Sequence, residues 1–120
     1  MTDLTIQTPD DWHLHFRDGD MLQETVPATA RCFRRAVVMP NLVPPVTTGE
    51  LASAYRQRIL AARPANSTFE PIMTIYLTDT TTAQDIKAAK AAGVLAAKMY
   101  PAGATTNSHS GVSSLSSLFP

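Results

Sequence analysis

The sequence predicts an α/β fold with a parallel sheet, the first four β/α units of a (β/α)8 TIM barrel. Stretches centred near residues 14, 37, 73 and 97 have the apolar or alternating pattern of strands, and helical patterns lie between neighbouring strands. This order favours right-handed crossovers over hairpins, which makes the sheet parallel. Four such units are about half of an eightfold barrel, whose usual length is about 250 residues.

Residues 1–120 are therefore expected to be the N-terminal part of a single barrel domain that is incomplete at its C-terminus, where the sequence stops at Pro120. Half a barrel leaves two sheet edges unpaired, and exposed parallel edges are unfavourable in water. A chain that stood alone would have to close by pairing with another copy.

The first strand lies within residues 11–19, where apolar and polar side chains alternate. Alternation puts Trp12, Leu14 and Phe16 on one face of the strand, and His13, His15 and Arg17 on the other. The two histidines are then about 6.5 Å apart, close enough for two nitrogens to bind one divalent metal at about 2.0–2.1 Å each. A His-x-His pair on an exposed strand face is the alternative.

Local signals place the other elements. Thr47 and Glu50 have capping-box spacing and predict the start of a helix. Thr82 and Asp85 predict another helix start, and Gly93 can close that helix in a left-handed cap. The predicted elements are a helix over 20–31 interrupted by Pro27, a strand over 35–39, a helix from Thr47 to Arg63, a strand over 69–77, a helix from Thr82 to Ala92, a strand over 94–100, a polar loop over 101–111 and an apolar helix face beginning with Leu115, Leu118 and Phe119.

Composition narrows the function classes. Ten basic and ten acidic residues cancel, so no charge excess favours nucleic acid. No stretch approaches the roughly 20 apolar residues that cross a bilayer, and the first residues lack the pattern of a signal peptide. The single cysteine, Cys32, fits a reducing compartment. We therefore expect a soluble cytoplasmic protein that binds neither nucleic acid nor membrane.

In parallel α/β folds the site lies at the carboxyl ends of the strands. Lys98 interrupts an apolar strand at that end, where desolvation should lower its pKa. A neutral amine could form a Schiff base or capture carbon dioxide as a carbamate, whereas a lysine that reaches out to solvent is the alternative. The other polar residues at strand ends and in the last loop are His13, His15, Arg17, Asn41, Asp79, Asn107 and His109.

Arg17 and Asn41 are the candidates for substrate binding. The planar guanidinium of Arg17 suits a carboxylate, and Asn41 could add a second donor or cap the Pro-rich turn. Asp79 is expected as a turn or cap residue, and His109 as a solvent-facing one. The expected packing residues on the barrel wall are Met99 and Tyr100.

Three blocks, 13–19, 38–48 and 97–101, taken in order, resemble bacterial dihydroorotases of the shorter homodimeric type, within the amidohydrolase superfamily. The resemblance runs along essentially the whole chain and covers about the first third of such an enzyme. It implies a metal-dependent hydrolase barrel domain with two zinc ions. It also implies the reversible conversion of (S)-dihydroorotate and water to N-carbamoyl-L-aspartate in de novo pyrimidine synthesis, by a homodimer.

Residue by residue, the resemblance implies that His13 and His15 bind one zinc, and that Lys98, carboxylated on its amine, bridges both. Arg17 and Asn41 match the residues that hold the substrate carboxylate. Two further histidine ligands, the proton-shuttling aspartate and a mobile loop over the substrate are expected beyond Pro120. The chain by itself is therefore expected to contain no catalytic residue, to bind zinc poorly and to be inactive.

Two other interpretations stay open. Dihydropyrimidinases and allantoinases share the His-x-His and carboxylated-lysine chemistry on ring amides, although Arg17 favours a ring that carries a carboxylate. A non-catalytic half-barrel that dimerises or docks through its open sheet edges is the interpretation from another class.

Overall fold

A computed structural model describes residues 2–119 of the chain. Its four strands pair in parallel in the order β1-β2-β3-β4, so the predicted parallel sheet is confirmed. One helix connects each strand to the next. The elements are β1 (Asp10–Leu14), α1 (Leu22–Cys32), β2 (Arg35–Val38), α2 (Gly49–Ala62), β3 (Glu70–Leu77), α3 (Ala83–Ala91) and β4 (Ala96–Met99), with short 3-10 helices at Gly19–Met21 and Leu115–Leu118.

Two predictions concern the ends of the chain. The barrel portion was predicted to run from Met1 to Pro120, and both of these residues lie outside the described ones. The catalytic aspartate and the further histidine ligands expected beyond Pro120 lie outside them as well. Their placement therefore stays a prediction.

The predicted helix starts differ in outcome. Thr82 and Asp85 mark a helix start, as predicted, and they form a capping box in which each side chain accepts from the backbone N–H of the other. The prediction of a capping box between Thr47 and Glu50 is wrong. Thr48 is the N-cap of α2, and its hydroxyl accepts from Leu51 N at 3.2 Å. Because α2 begins at Gly49, the residue three positions after the cap is a leucine, which cannot close a box.

The core lies between the sheet and the helices, with α2 packed over β3. Burying apolar surface stabilises this layer by roughly 25 cal/mol per Å². Phe16 and Phe69 meet edge to face with ring centroids 6.0 Å apart, which fixes the end of β1 against the start of β3. The side chains of this layer with the least exposure and the largest volume are Tyr55, Phe16, Phe69, Ile59 and Ile75.

Apolar side chains at the two sheet edges stay exposed. Trp12 on β1 is 68% exposed and Leu95, just before β4, is 75% exposed. Trp12 therefore does not join Phe16 in the core, because no described element covers that edge strand. Near the end of the chain, a 3-10 helix begins at Leu115, where the start of an apolar helix face was predicted, and Leu115 and Phe119 are exposed.

Cys32 ends α1 and is also exposed. Among residues 2–119, none of the helices has the length and hydropathy of a membrane span.

The close approach of α2 and α3 depends on Gly49. A Cβ added there would lie 2.8 Å from Ala92 Cβ and 3.1 Å from Ala89 Cα. We expect Gly49→Ala to lower the free energy of unfolding by about 1–2 kcal/mol, because overpacking outweighs the gain in helix propensity. Denaturant unfolding measures this change. Ser53→Ala, on the exposed face of the same helix, is the control and should change it by less than about 0.5 kcal/mol. Equal stability of both variants would contradict this packing.

Candidate metal and substrate site

His13 and His15 lie at the carboxyl end of β1 with their Nε2 atoms 3.1 Å apart. Their rings are tilted by 46° with centroids 5.1 Å apart. Two nitrogens at this separation, each about 2.05 Å from one ion, would subtend an angle of about 100° at that ion, within the range of tetrahedral zinc. The distance between the two nitrogens is therefore compatible with two ligands of one metal ion.

The direction of the pKa shift of His15 also suits a metal ligand. Burial lowers the pKa of His15, and the positive charges of Arg17 and His13 act in the same direction. A neutral imidazole is the form that binds a metal.

Arg17 reaches the site through a turn rather than through strand alternation. β1 ends at Leu14, and Arg17 has a left-handed φ of 65°. Its carbonyl accepts a hydrogen bond from the buried hydroxyl of Tyr55, while the next residue, Asp18, accepts from Gly19 N and pairs with Arg58. Helix α2 therefore holds the turn that aims Arg17. Arg17 faces the site, as predicted. The predicted reason, strand alternation, is wrong.

Asn41 follows β2 and is 2% exposed. Its Nδ2 donates to the carbonyl of Thr106 at 2.9 Å, and Asn107 Nδ2 donates back to the carbonyl of Asn41 at 3.1 Å. Its Oδ1 is buried and has no partner among the described residues. The amide thus ties the loop after β4 to the end of β2 and leaves an acceptor free.

Lys98 lies in β4 and is half-buried. Its Nζ is 5.7 Å from the centroid of the Tyr100 ring. That ring stacks on Tyr76 at 4.9 Å with planes 22° apart. Burial raises the pKa of Tyr100 to about 12, so its hydroxyl is protonated at neutral pH.

One cavity of about 330 Å³ brings the five predicted site residues together. They come from the ends of β1, β2 and β4, which share one edge of the sheet. His13, His15, Arg17, Asn41 and Lys98 all line it.

Asp79 and His109 lie elsewhere. The Asp79 carboxylate accepts from Ser113 and Ser117, and these bonds hold its pKa below the usual range. His109 is exposed. The turn role of Asp79 and the solvent-facing position of His109 agree with expectation.

Sequence reasoning did not predict five other lining residues as site residues: Met99, Tyr100, Pro101, Thr105 and Thr106. Tyr100 is two positions after Lys98, so strand alternation could have pointed to it. No local signal marks Thr105 and Thr106, because the fold of their loop brings them over the cavity.

The donor set in the described residues is partial. Within residues 2–119, no group of three or more His, Cys, Asp or Glu side chains could hold a metal ion. The two imidazoles are the only His, Cys, Asp or Glu side chains among the described residues that line this cavity.

The fold and the geometry at the strand ends define the chain as four units of a parallel β/α barrel with a polar cavity at the carboxyl edge. No family model matches the sequence. The predicted resemblance to dihydroorotases is nevertheless confirmed along the whole chain. It is 78% identical over 120 residues to a dihydroorotase of Shewanella piezotolerans and to one of Marinomonas sp., covering 100% of this chain and 35% of each relative.

Two solved structures share the fold. A crystal structure of dihydroorotase from Campylobacter jejuni matches with a TM-score of 0.81 and 42% identity, over 92% of this chain and 34% of that one. Dihydroorotase from Saccharomyces cerevisiae in complex with 5-fluoroorotic acid matches with a TM-score of 0.80 and 35% identity, over 93% of this chain and 31% of that one. The chain thus spans about a third of the length of the relatives that it matches.

The hydrogen bond from Tyr55 to the carbonyl of Arg17 should be needed for the turn. We expect Tyr55→Phe to lower the free energy of unfolding by about 1–2 kcal/mol, since it leaves that carbonyl without its donor. Thermal or denaturant unfolding measures the loss. Tyr76→Phe is the matched control, because its hydroxyl makes only a long hydrogen bond of 3.3 Å to Asn107 O. An equal loss in both variants would argue against a special role of Tyr55.

Proposed function

We propose that the protein containing this chain is a zinc-dependent dihydroorotase. It would convert (S)-dihydroorotate and water reversibly to N-carbamoyl-L-aspartate, in pyrimidine biosynthesis. The observation that carries this proposal is the 78% identity to dihydroorotases along the whole chain. The shared cavity supports it, because it collects every residue that the resemblance assigns to this part of the enzyme.

His13 and His15 are the proposed ligands of one zinc ion, and the 3.1 Å between their Nε2 atoms supports this role. Lys98 is the proposed source of a bridging ligand. Its ammonium group would lose one proton to give the neutral amine, which would add to carbon dioxide and lose a second proton. A cation would thus become an anionic carbamate with two oxygen donors. When bound, two zinc ions supply Lewis-acid activation of the ring carbonyl and of the attacking water.

Arg17 is the proposed anchor for the carboxylate of the substrate. Its Nη1 is buried in the cavity wall without a partner among residues 2–119, and a guanidinium is the group best suited to a carboxylate. This free donor favours dihydroorotate over ring amides without a carboxylate, the substrates of dihydropyrimidinases and allantoinases. Asn41 is the proposed second carboxylate contact, although its Nδ2 donates to Thr106 O in this structure.

The remaining parts of the site lie outside this chain in the proposal. The relatives are about three times as long, so two further histidine ligands and a proton-shuttling aspartate would come from the rest of the barrel domain, beyond Pro120. Residues 1–120 alone would bind zinc poorly and would not turn over. We also propose a homodimer located in the cytoplasm, as the family resemblance implies.

The bridging role of Lys98 can be tested in the full-length protein. We expect Lys98→Ala to lower kcat/KM by about 1,000-fold or more and to reduce bound zinc below two ions per subunit, because the anionic ligand is lost. Steady-state assays and metal analysis by mass spectrometry give both numbers. Lys90→Ala, an exposed lysine on α3, is the control and should behave like the wild type. Full activity of Lys98→Ala would refute the bridging role.

The carboxylate anchor can be tested separately with Arg17→Lys. This variant keeps the charge but loses the planar fork of donors. We expect KM for dihydroorotate to rise by about 10-fold or more, with a smaller change in kcat, as the lost contact serves binding. Arg31→Lys on the exposed end of α1 is the control. An unchanged KM would show that Arg17 does not hold the carboxylate.

A further inference from the structure

Three buried polar atoms on the cavity residues have no partner in the described part of the chain: Arg17 Nη1, Asn41 Oδ1 and Tyr100 Oη. A buried polar group without a hydrogen bond costs about 1–3 kcal/mol, and more than about nine in ten such groups in native proteins have a partner. Arg17 already has a proposed ligand role. Asn41 Oδ1 can only accept a hydrogen bond, so a carboxylate cannot satisfy it. The hydroxyl of Tyr100 has no proposed role, although only 5% of this residue is exposed.

The packing of Tyr100 explains its ring but not its hydroxyl. Stacking on Tyr76 uses the face of the ring, which phenylalanine would offer equally well. The backbone at this position is also fixed, because the Tyr100 carbonyl accepts from Val112 N at 2.8 Å. The hydroxyl is therefore held in one place before any ligand arrives, as a preorganised binding group should be.

Whether the three unpartnered atoms can donate or accept hydrogen bonds indicates which ligand group the Tyr100 hydroxyl would contact. The donor of Asn41 is occupied by Thr106 O, so only Arg17 offers a free nitrogen donor to an anion among these three buried groups. A carboxylate has two oxygens that each accept more than one hydrogen bond. Tyr100 lines the same cavity as Arg17, so its hydroxyl is a candidate donor to a carboxylate oxygen that Arg17 leaves open.

We propose that Tyr100 is a further substrate-binding residue, whose hydroxyl donates a hydrogen bond to the substrate carboxylate beside Arg17. This hydrogen bond makes the site prefer ring amides that carry the carboxylate over ring amides that lack it. The proposal rests on the proposed function, because it takes the substrate to be a carboxylate-bearing ring amide.

The test uses Tyr100→Phe in the full-length zinc-loaded protein, since this change removes one oxygen and keeps the ring stacking. The probes are 5-fluoroorotate and 5-fluorouracil, which differ only in the ring carboxylate, and calorimetric or competition titration gives their affinities. We expect a loss of about 10-fold or more for 5-fluoroorotate and less than about twofold for 5-fluorouracil, as for one hydrogen bond to a charged group. KM for dihydroorotate should rise in parallel, with kcat within about threefold.

Tyr76→Phe is the matched control, because it removes a hydroxyl from the stacked partner outside the cavity. It should leave both affinities within about twofold. Tyr100→Phe should also melt at or above the wild-type temperature, since it removes a buried polar group without a partner.

Three results would overturn the proposal. An active wild type with an unchanged 5-fluoroorotate affinity in Tyr100→Phe rejects the role of the hydroxyl and leaves the dihydroorotase function standing. Equal losses for both probes, or a lower melting temperature with unchanged ligand affinities, assign the hydroxyl to structure. A wild type that neither turns over dihydroorotate nor prefers 5-fluoroorotate rejects the function itself, and the role of Tyr100 with it.

Discussion

Parallel strand pairing is the constraint on which the site depends. Because β1 to β4 run in one direction, their carboxyl ends form a single edge of the sheet. Register then sets the neighbours along that edge, with Leu14 opposite Val38 and Tyr76 opposite Lys98. If β4 ran the other way, its last residues would lie at the opposite edge, and Lys98 could not share a cavity with the histidine pair.

The helix layer is the second part of this arrangement. Two residues of α2 hold the turn after β1. Tyr55 donates to the carbonyl of Arg17, and Arg58 donates to the carboxylate of Asp18. A non-glycine residue with positive φ is unfavourable in isolation, so it persists where surrounding contacts fix it. The packing that buries the core therefore also aims a guanidinium into the cavity.

The boundaries of the elements show where local sequence signals are sufficient. The helix start at Thr82 and the helix end at Gly93, whose φ is 86°, were predictable because each depends on residues only a few positions apart. The strand predicted over 94–100 is shorter in the structure, Ala96–Met99. The backbone N–H of Val94 instead donates to Ala89 O and closes α3. Val94 therefore belongs to the helix end, although its side chain favours strands.

The sequence by itself determined the parallel α/β class, the set of polar residues at the strand ends and the resemblance to dihydroorotases. These follow from periodicity, turn chemistry and short motifs, which are encoded over a few neighbouring residues. Only the tertiary structure decided which polar atoms are left without a partner. The nitrogen of Asn41 bonds to Thr106, 65 positions away, and the ring of Tyr100 stacks on Tyr76, whereas the oxygens of both side chains have no partner among residues 2–119. Partners so distant in the chain meet only when the strands have paired, and no local pattern records them.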